Sequence, residues 1–528
     1  MKRFVLVAVL LVAALVAGAC AKNAGAPDQT GEAYAPSAYP ALSECEAPEE
    51  GADFDWRYND QFNTEEYSYI EENGFMDVWT SPLSTFSIDV DTASYSNVRR
   101  YLNDGTLPPP DAVRIEEMIN YFSYDYPPPE GDVPFSVNVA LSECPWRTGH
   151  NVAVIGLQGR EIPQEDLPAA NLVFLLDVSG SMDEPDKLPL LKTAFGMLVN
   201  TLRSQDRVSI VVYAGAAGVV LPPTSGADKE RILASLNLLD AGGSTAGGEG
   251  IKLAYKLAED NFLPEGNNRV ILATDGDFNV GVSNEGSLTR LIEKKRKSGI
   301  ALSVLGFGTG NIKDNKMEAL ADTGNGNYAY IDCVQEAEKV LVSQMGGTLY
   351  TIAKDVKLQV EFNPAAVASY RLVGYENRIM DAEDFDDDTK DAGELGSGHR
   401  VTAIYEIVPA EDGGSSADGL KYQEASTSPS DDWLCIALRY KQPDGDTSRY
   451  LEVPVDGACY GKELPADSLF ACAVAEFGML LRDSPYLDGI TYDDVLGEAD
   501  AGRGADNEGY RAEFIRLVRV AKALDTDY

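Results

Sequence analysis

Asp177, Ser179 and Ser181 follow one another at two-residue intervals, directly after the apolar run Leu172–Leu176. One carboxylate and two hydroxyls at this spacing present hard oxygen donors, which suit Mg²⁺, Mn²⁺ or Ca²⁺ rather than zinc or copper. Taken singly, each is also a common helix-capping residue. Two further stretches carry the same chemistry. In AGGSTAGG, residues 241–248, glycines let the backbone turn closely and Thr245 presents a hydroxyl ahead of a helical pattern. In Ala273-Thr274-Asp275-Gly276 a carboxylate ends the apolar run RVILA. Short apolar runs bounded by turns read as buried parallel strands, and ligands of open α/β sheets gather beyond the carboxyl ends of such strands. Asp177, Ser179, Ser181, Thr245 and Asp275 therefore belong at one edge of one sheet. Together they make five oxygen ligands from three loops, with one octahedral position left for water or a partner.

Enzyme templates fail on the same residues. A phosphoaspartate site of the D-x-D type needs a second carboxylate where Ser179 stands. A Gly-x-Ser-x-Gly nucleophile elbow needs glycine at positions 177 and 181. The run Gly306–Asn311 lacks the last glycine of a dinucleotide fingerprint, and the EF-hand-like start at Asp275 would need Glu where Gly286 stands. The chain has only two histidines, His150 and His399, which excludes a histidine-rich metal centre and leaves a Ser-His-Asp mechanism few candidates. The expectation is a binding protein, not an enzyme.

The elements that must position these residues alternate over residues 169–350. Strands are expected at Leu172–Leu176, Val208–Tyr213, Arg269–Ala273, Ile300–Phe307 and Tyr328–Ile331, with a short edge piece at Val219–Leu221. Helices are expected at Lys187–Leu202, Ala227–Leu239, Gly250–Phe262, Ser287–Ser298, Lys313–Thr323 and Val334–Met345. Repeated βα units of this kind imply an α/β fold, a central doubly wound parallel sheet with helices on both faces. Ahead of it, residues 76–168 read as a small α/β module. Behind it, residues 351–528 read as a β-rich domain of five strands with a helical tail at Ser468–Arg482 and Gly509–Leu524.

The outer features bear on compartment. Residues 1–20 carry Lys2 and Arg3, an apolar run from Phe4 to Val16, then Ala17-Gly18-Ala19-Cys20, the plan of an export signal. A cysteine straight after small residues resembles a bacterial lipoprotein signal, with Cys20 as the lipid-bearing residue; the alternative is an ordinary secretory signal cut after Ala19. Residues 21–75, rich in Ala, Gly, Pro and acidic residues, read as a flexible tether. Six further cysteines in an exported chain permit disulfides, with Cys435, Cys459 and Cys472 the nearest in sequence. A formal net charge of -42 repels phosphate backbones and argues against a nucleic-acid partner.

The DVSGS motif, the glycine-flanked Thr245 and the Thr-Asp-Gly strand end resemble the metal-ion-dependent adhesion site of von Willebrand factor type A domains, over residues 169–350. The flanks are similar to a bacterial subset of that family, with TFSIDVDTASYSNVRRYLNDG ahead of the type A domain and an uncharacterised domain behind it. The resemblance implies that Ser179 and Ser181 bind the metal directly, that Thr245 does so in the ligand-engaged state, and that Asp177 and Asp275 hold it mainly through water. An acidic residue of another protein would complete the coordination. The expected function is thus metal-dependent protein binding, as adhesion or scaffold, in the bacterial cell envelope. Metal-assisted hydrolysis and an assembly scaffold with a purely structural metal are the alternatives.

Overall fold

The computed structural model describes residues 65–243, 247–276, 285–390, 392–410 and 430–526. At its middle six strands form one sheet, in the order Tyr328–Ile331, Ile300–Phe307, Asn267–Thr274, Ala170–Asp177, Arg207–Tyr213 and Ala217–Ser225. All neighbours are parallel except the last pair. Ala170–Asp177 is buried along its whole length, as a strand covered on both faces must be. Leu172, Phe174 and Leu176 pack with Leu191, Phe195 and Leu198 in one layer, while Val173 and Leu175 pack with Ile251, Tyr255 and Ile292 in the other. The sheet is therefore doubly wound, as the alternating pattern requires.

Two elements differ from expectation. The short edge piece is a nine-residue antiparallel strand, Ala217–Ser225. It accommodates Pro222 and Pro223 because consecutive residues face opposite sides: one proline turns to the open outer edge, and the register shift between the Ile210/Leu221 and Val208/Thr224 pairs frees the other from the ladder. The single closing helix is instead an α turn at Val334–Glu338, a π-helical turn at Lys339–Ser343 and a last α turn at Met345–Leu349. The wider turn begins at Lys339, a buried lysine whose ammonium donates to the Tyr121 carbonyl and lies over the Tyr121 ring.

The segments before and after the central sheet, read from sequence as separate, share their sheets. One sheet runs Met76–Asp77, Val367–Val373, Arg400–Pro409, Asn151–Gly159, Phe135–Glu143. The second runs Ile379–Met380, Leu83–Ser87, Thr351–Phe362, Asp432–Lys441, Ser448–Asp456, with Gly393–Gly396 paired to Thr351–Phe362. Burial explains the exchange. Asn151–Gly159 is buried at every residue, so its hydrogen-bonding edges and both faces need cover, and Arg400–Pro409 supplies one edge. Its Ile155 and Leu157 join Phe86, Leu358 and Ile436 between the two sheets, while Val152 and Val154 join Ile119, Phe470 and Phe514 beneath a helical layer. Helices, five-stranded sheet and second sheet thus stack as three layers built from both ends of the chain.

The helical layer also contains Tyr492–Ala501, a helix not expected from sequence, opened by a Thr491/Asp494 capping box. The five described cysteines, Cys144, Cys333, Cys435, Cys459 and Cys472, are free thiols. Among the described residues no helix is long and apolar enough to cross a membrane.

Buried ion pairs lock this body to the central sheet. Arg99, on the helix Ala93–Asn103, pairs with Asp332, Glu336 and Glu513. Arg114 pairs with Glu117, Asp314 and Glu318.

Candidate metal centre

Asp177 is the last residue of its strand, and Asp275 directly follows the neighbouring one, where Leu176 pairs with Ala273. The parallel register thereby sets two carboxylates side by side at the carboxyl edge of the sheet. Both are fully buried. The Asp177 Oδ1 accepts the Ser179 N–H at 2.9 Å, and its Oδ2 accepts the Thr274 hydroxyl at 3.3 Å. The Thr274 oxygen in turn accepts the Gly276 N–H at 3.3 Å. Gly276 has φ +102°, and a Cβ there would lie 2.6 Å from the Asn311 carbonyl, so the turn after Asp275 requires glycine.

The hydroxyls of Ser179 and Ser181 lie 3.1 Å apart, the first buried and the second exposed. Adjacent ligands of an octahedral Mg²⁺, each about 2.1 Å from the ion, stand about 3.0 Å from one another. The serine pair therefore has the separation that two ligands of one such ion would need. Backbone hydrogen bonds brace the loop: Val178 N–H to the Tyr213 carbonyl at 3.1 Å, Gly242 N–H to Val178 at 2.8 Å, and Gly180 N–H to Gly243 at 3.0 Å. The last two bring the glycine stretch ahead of Thr245 against the DVSGS loop. Thr245 itself lies outside the described residues, as does Cys20.

Burial pushes the Asp177 carboxyl up to about 6, with Asp275 adding to the rise and hydrogen bonds from Ser179 and Tyr213 opposing it. Asp275 takes the Lys187 ammonium at 3.2 Å. Two carboxylates against one buried ammonium leave the pocket net negative, which a bound cation would relieve. The donor set, carboxylates and neutral hydroxyls without thiol or imidazole, fits a hard divalent ion.

The structure thus brings together four of the five expected site residues. It adds two positioning residues that spacing alone does not reveal, Thr274 and Lys187. Thr274 was visible as part of Thr-Asp-Gly, but its bond to Asp177 crosses between strands. Lys187 shows in the sequence only as a lysine directly ahead of the helix Leu188–Thr201.

Residues 171–341 match the von Willebrand factor type A domain family. Residues 61–153 match a family described as von Willebrand factor, and residues 347–524 match the C-terminal region of the uncharacterised protein YfbK. The uncharacterised protein YfbK of Escherichia coli K12 is 42% identical over 472 residues, covering 87% of this chain and 82% of that one. The chain belongs to the YfbK family of type A domain proteins. Uncharacterised protein sll0103 of Synechocystis is 30% identical over 171 residues, 32% of this chain and 39% of that protein. Inter-alpha-trypsin inhibitor heavy chain H4 of Homo sapiens is 29% identical over 147 residues, 26% of this chain and 16% of that protein. Among solved structures, a von Willebrand factor type A protein from Catenulispora acidiphila is 15% identical and covers 73% of this chain and 89% of its own, with a TM-score of 0.41. The family assignment makes the central sheet a type A domain, a fold that generally serves protein interaction.

Proposed function

We propose that the type A domain is a cation-dependent docking module that captures a carboxylate of another protein. The observation that carries this reading is the 3.1 Å hydroxyl pair of Ser179 and Ser181 beside the buried carboxylates of Asp177 and Asp275. Ser179 and Ser181 would hold a Mg²⁺-like ion directly, Thr245 would join them when a partner is engaged, and Asp177 and Asp275 would hold it through water. Bound there, the ion supplies Lewis acidity toward an external oxygen ligand. Neutral hydroxyls leave that acidity largely unquenched, which favours capture of a partner's Asp or Glu. Binding is preferred to turnover because both histidines lie elsewhere, His150 at 2.6 Å from Glu406 and His399 beside the flanking strand Arg400–Pro409.

We further propose that Cys20 carries a lipid and that the chain works at the bacterial cell envelope, on a tether that ends earlier than the expected residue 75, because Glu65 is already held by Arg100 and Tyr101 and Asn73 by the Leu372 and Gly374 carbonyls. The test is capture of partners from solubilised envelopes by the full chain in Mg²⁺, in EDTA, and as Ser181→Ala in Mg²⁺. A partner retained only by the unaltered chain in Mg²⁺ supports the docking reading; equal capture in all three sinks it. Loss of radiolabelled palmitate incorporation in Cys20→Ala tests the anchor separately.

A further inference from the structure

Far from the metal loops, a cavity of about 250 Å³ lies where the three parts of the chain meet. Arg269 lines it, five residues before Thr274 on the same strand and hence about 16 Å from the metal edge. Asp89 comes from the N-terminal flank, Asp322 and Asn325 from the type A domain, and Arg378 and Glu394 from the C-terminal segment.

Most of this charge is matched internally. Arg378 donates to Asp322 at 2.8 Å and to Glu318 at 3.0 Å. Glu394 accepts from Asn325 at 2.8 Å and from Thr351 at 2.7 Å. Two groups of opposite sign are left over. Arg269, only 4% exposed, donates to the Ser303 hydroxyl at 2.6 Å, yet its Nε has no acceptor and no carboxylate stands within ion-pair distance among the described residues. The partly buried Asp89 carboxylate takes no hydrogen bond and no ion pair among the described residues, and Arg378 acts on it only from longer range. Burial pulls the Arg269 guanidinium down to about 10, so it stays charged at neutral pH. Glu394 attracts Arg269 only from beyond ion-pair distance, as Arg378 does Asp89, and a buried charge with no direct ion pair is a costly arrangement that a fitting ligand would relieve.

We propose that this cavity binds a small zwitterion of the amino-acid class, with Arg269 receiving its carboxylate and Asp89 its ammonium. A bare anion would satisfy Arg269 but add negative charge beside Asp89, Asp322 and Glu394. A bare cation would satisfy Asp89 but meet Arg269. The volume lies below the roughly 300–1,000 Å³ usual for drug-sized ligands, which also favours a small metabolite. Because all three segments contribute side chains, only the intact chain builds the site.

The experiment uses the full chain in EDTA, so that its outcome does not depend on the metal centre. Each common L-amino acid is tried by calorimetric titration and thermal unfolding. Any binder is compared with its decarboxylated amine and its deaminated acid. The expected result is an amino acid that binds and, at about 100 times its Kd, raises the melting temperature by several degrees. Each half-charged analogue should bind roughly tenfold or more weakly, as should Asp89→Asn and Arg269→Gln. Asp89→Asn, nearly isosteric at a partly buried position, keeps the test decisive where Arg269→Gln impairs folding. The proposal is overturned when no amino acid binds, when the amine or the acid binds equally well, when acetate alone matches the best ligand (an adventitious ion only), or when Asp89→Asn binds unchanged.

Discussion

Ser181 is the exposed member of the hydroxyl pair, so its removal separates cation binding from folding. Ser181→Ala should weaken Mg²⁺ binding by about tenfold or more while leaving the free energy of unfolding in EDTA within about 0.5 kcal/mol; calorimetry and urea titration check the two halves. Thr274→Val makes the contrasting case. It takes the hydroxyl from a buried carboxylate that has few other donors, and should cost about 1–3 kcal/mol in EDTA by urea titration as well as weakening the ion. The difference between these residues marks what sequence spacing can disclose. Asp177, Ser179 and Ser181 are neighbours in one loop, and their alternation is chemistry written locally. Asp275 was recoverable because it ends a second apolar run of the same kind. Thr274 as a brace and Lys187 as a counter-charge depend on which strands lie adjacent and how helix 188–201 begins, and neither follows from spacing. Asp89 and Arg269 were out of reach for the same reason: their significance lies in partners they lack.

Strand and helix pairings carry their own electrostatics. Glu476 is fully buried on the helix Ala466–Leu481, where neither carboxyl oxygen has a hydrogen-bond partner among the described residues and the Glu498 carboxyl on Tyr492–Ala501 acts on it. Burial, aggravated by the mutual proximity of the two carboxyls and of Asp494, pushes Glu476 well up, and burial raises Glu498 to about 7. Both groups therefore keep protons in the fold that the unfolded chain has already released. Their packing is fully stable below the ordinary glutamate range and weakens as pH rises through 7. The melting temperature should fall between about pH 5 and pH 8, and Glu476→Gln should flatten that fall, because an amide can donate to Glu498 at any pH. Scanning calorimetry over that range is the check. Helix Tyr492–Ala501 illustrates why some elements escape sequence reading: it buries only Tyr492, Val495 and Ala499, too thin a stripe to stand out. The π turn at Lys339–Ser343 escaped because a tertiary contact, Lys339 on Tyr121, decides it. The parallel strands of the central sheet were plain because each is apolar throughout and stops at a polar loop.

The molecule is a type A domain set into a body made by the chain on either side of it. Arg99 fastens the two, and Arg99→Met should cost about 3–5 kcal/mol in urea unfolding, since it leaves Asp332 and Glu336 buried without their cation. A fragment holding only residues 351–526 should fail to fold in isolation and recover when co-expressed with residues 65–168, as read by soluble yield and heteronuclear NMR. It lacks Leu83–Ser87, Phe135–Glu143 and Asn151–Gly159, which complete its two sheets. This sharing was hidden from sequence because strand patterns tell which residues face a core but not which distant strand provides the other edge. It also imposes a clock on the newborn chain. Asn151–Gly159, apolar on both faces, leaves the ribosome long before Arg400–Pro409, the neighbour that covers its edge. At about 5–20 residues per second, some 10–50 s of synthesis separate the two. Through that interval the strand is a sticky, half-finished edge, so the cell must shelter it with a chaperone or keep the whole chain unfolded until its second half arrives.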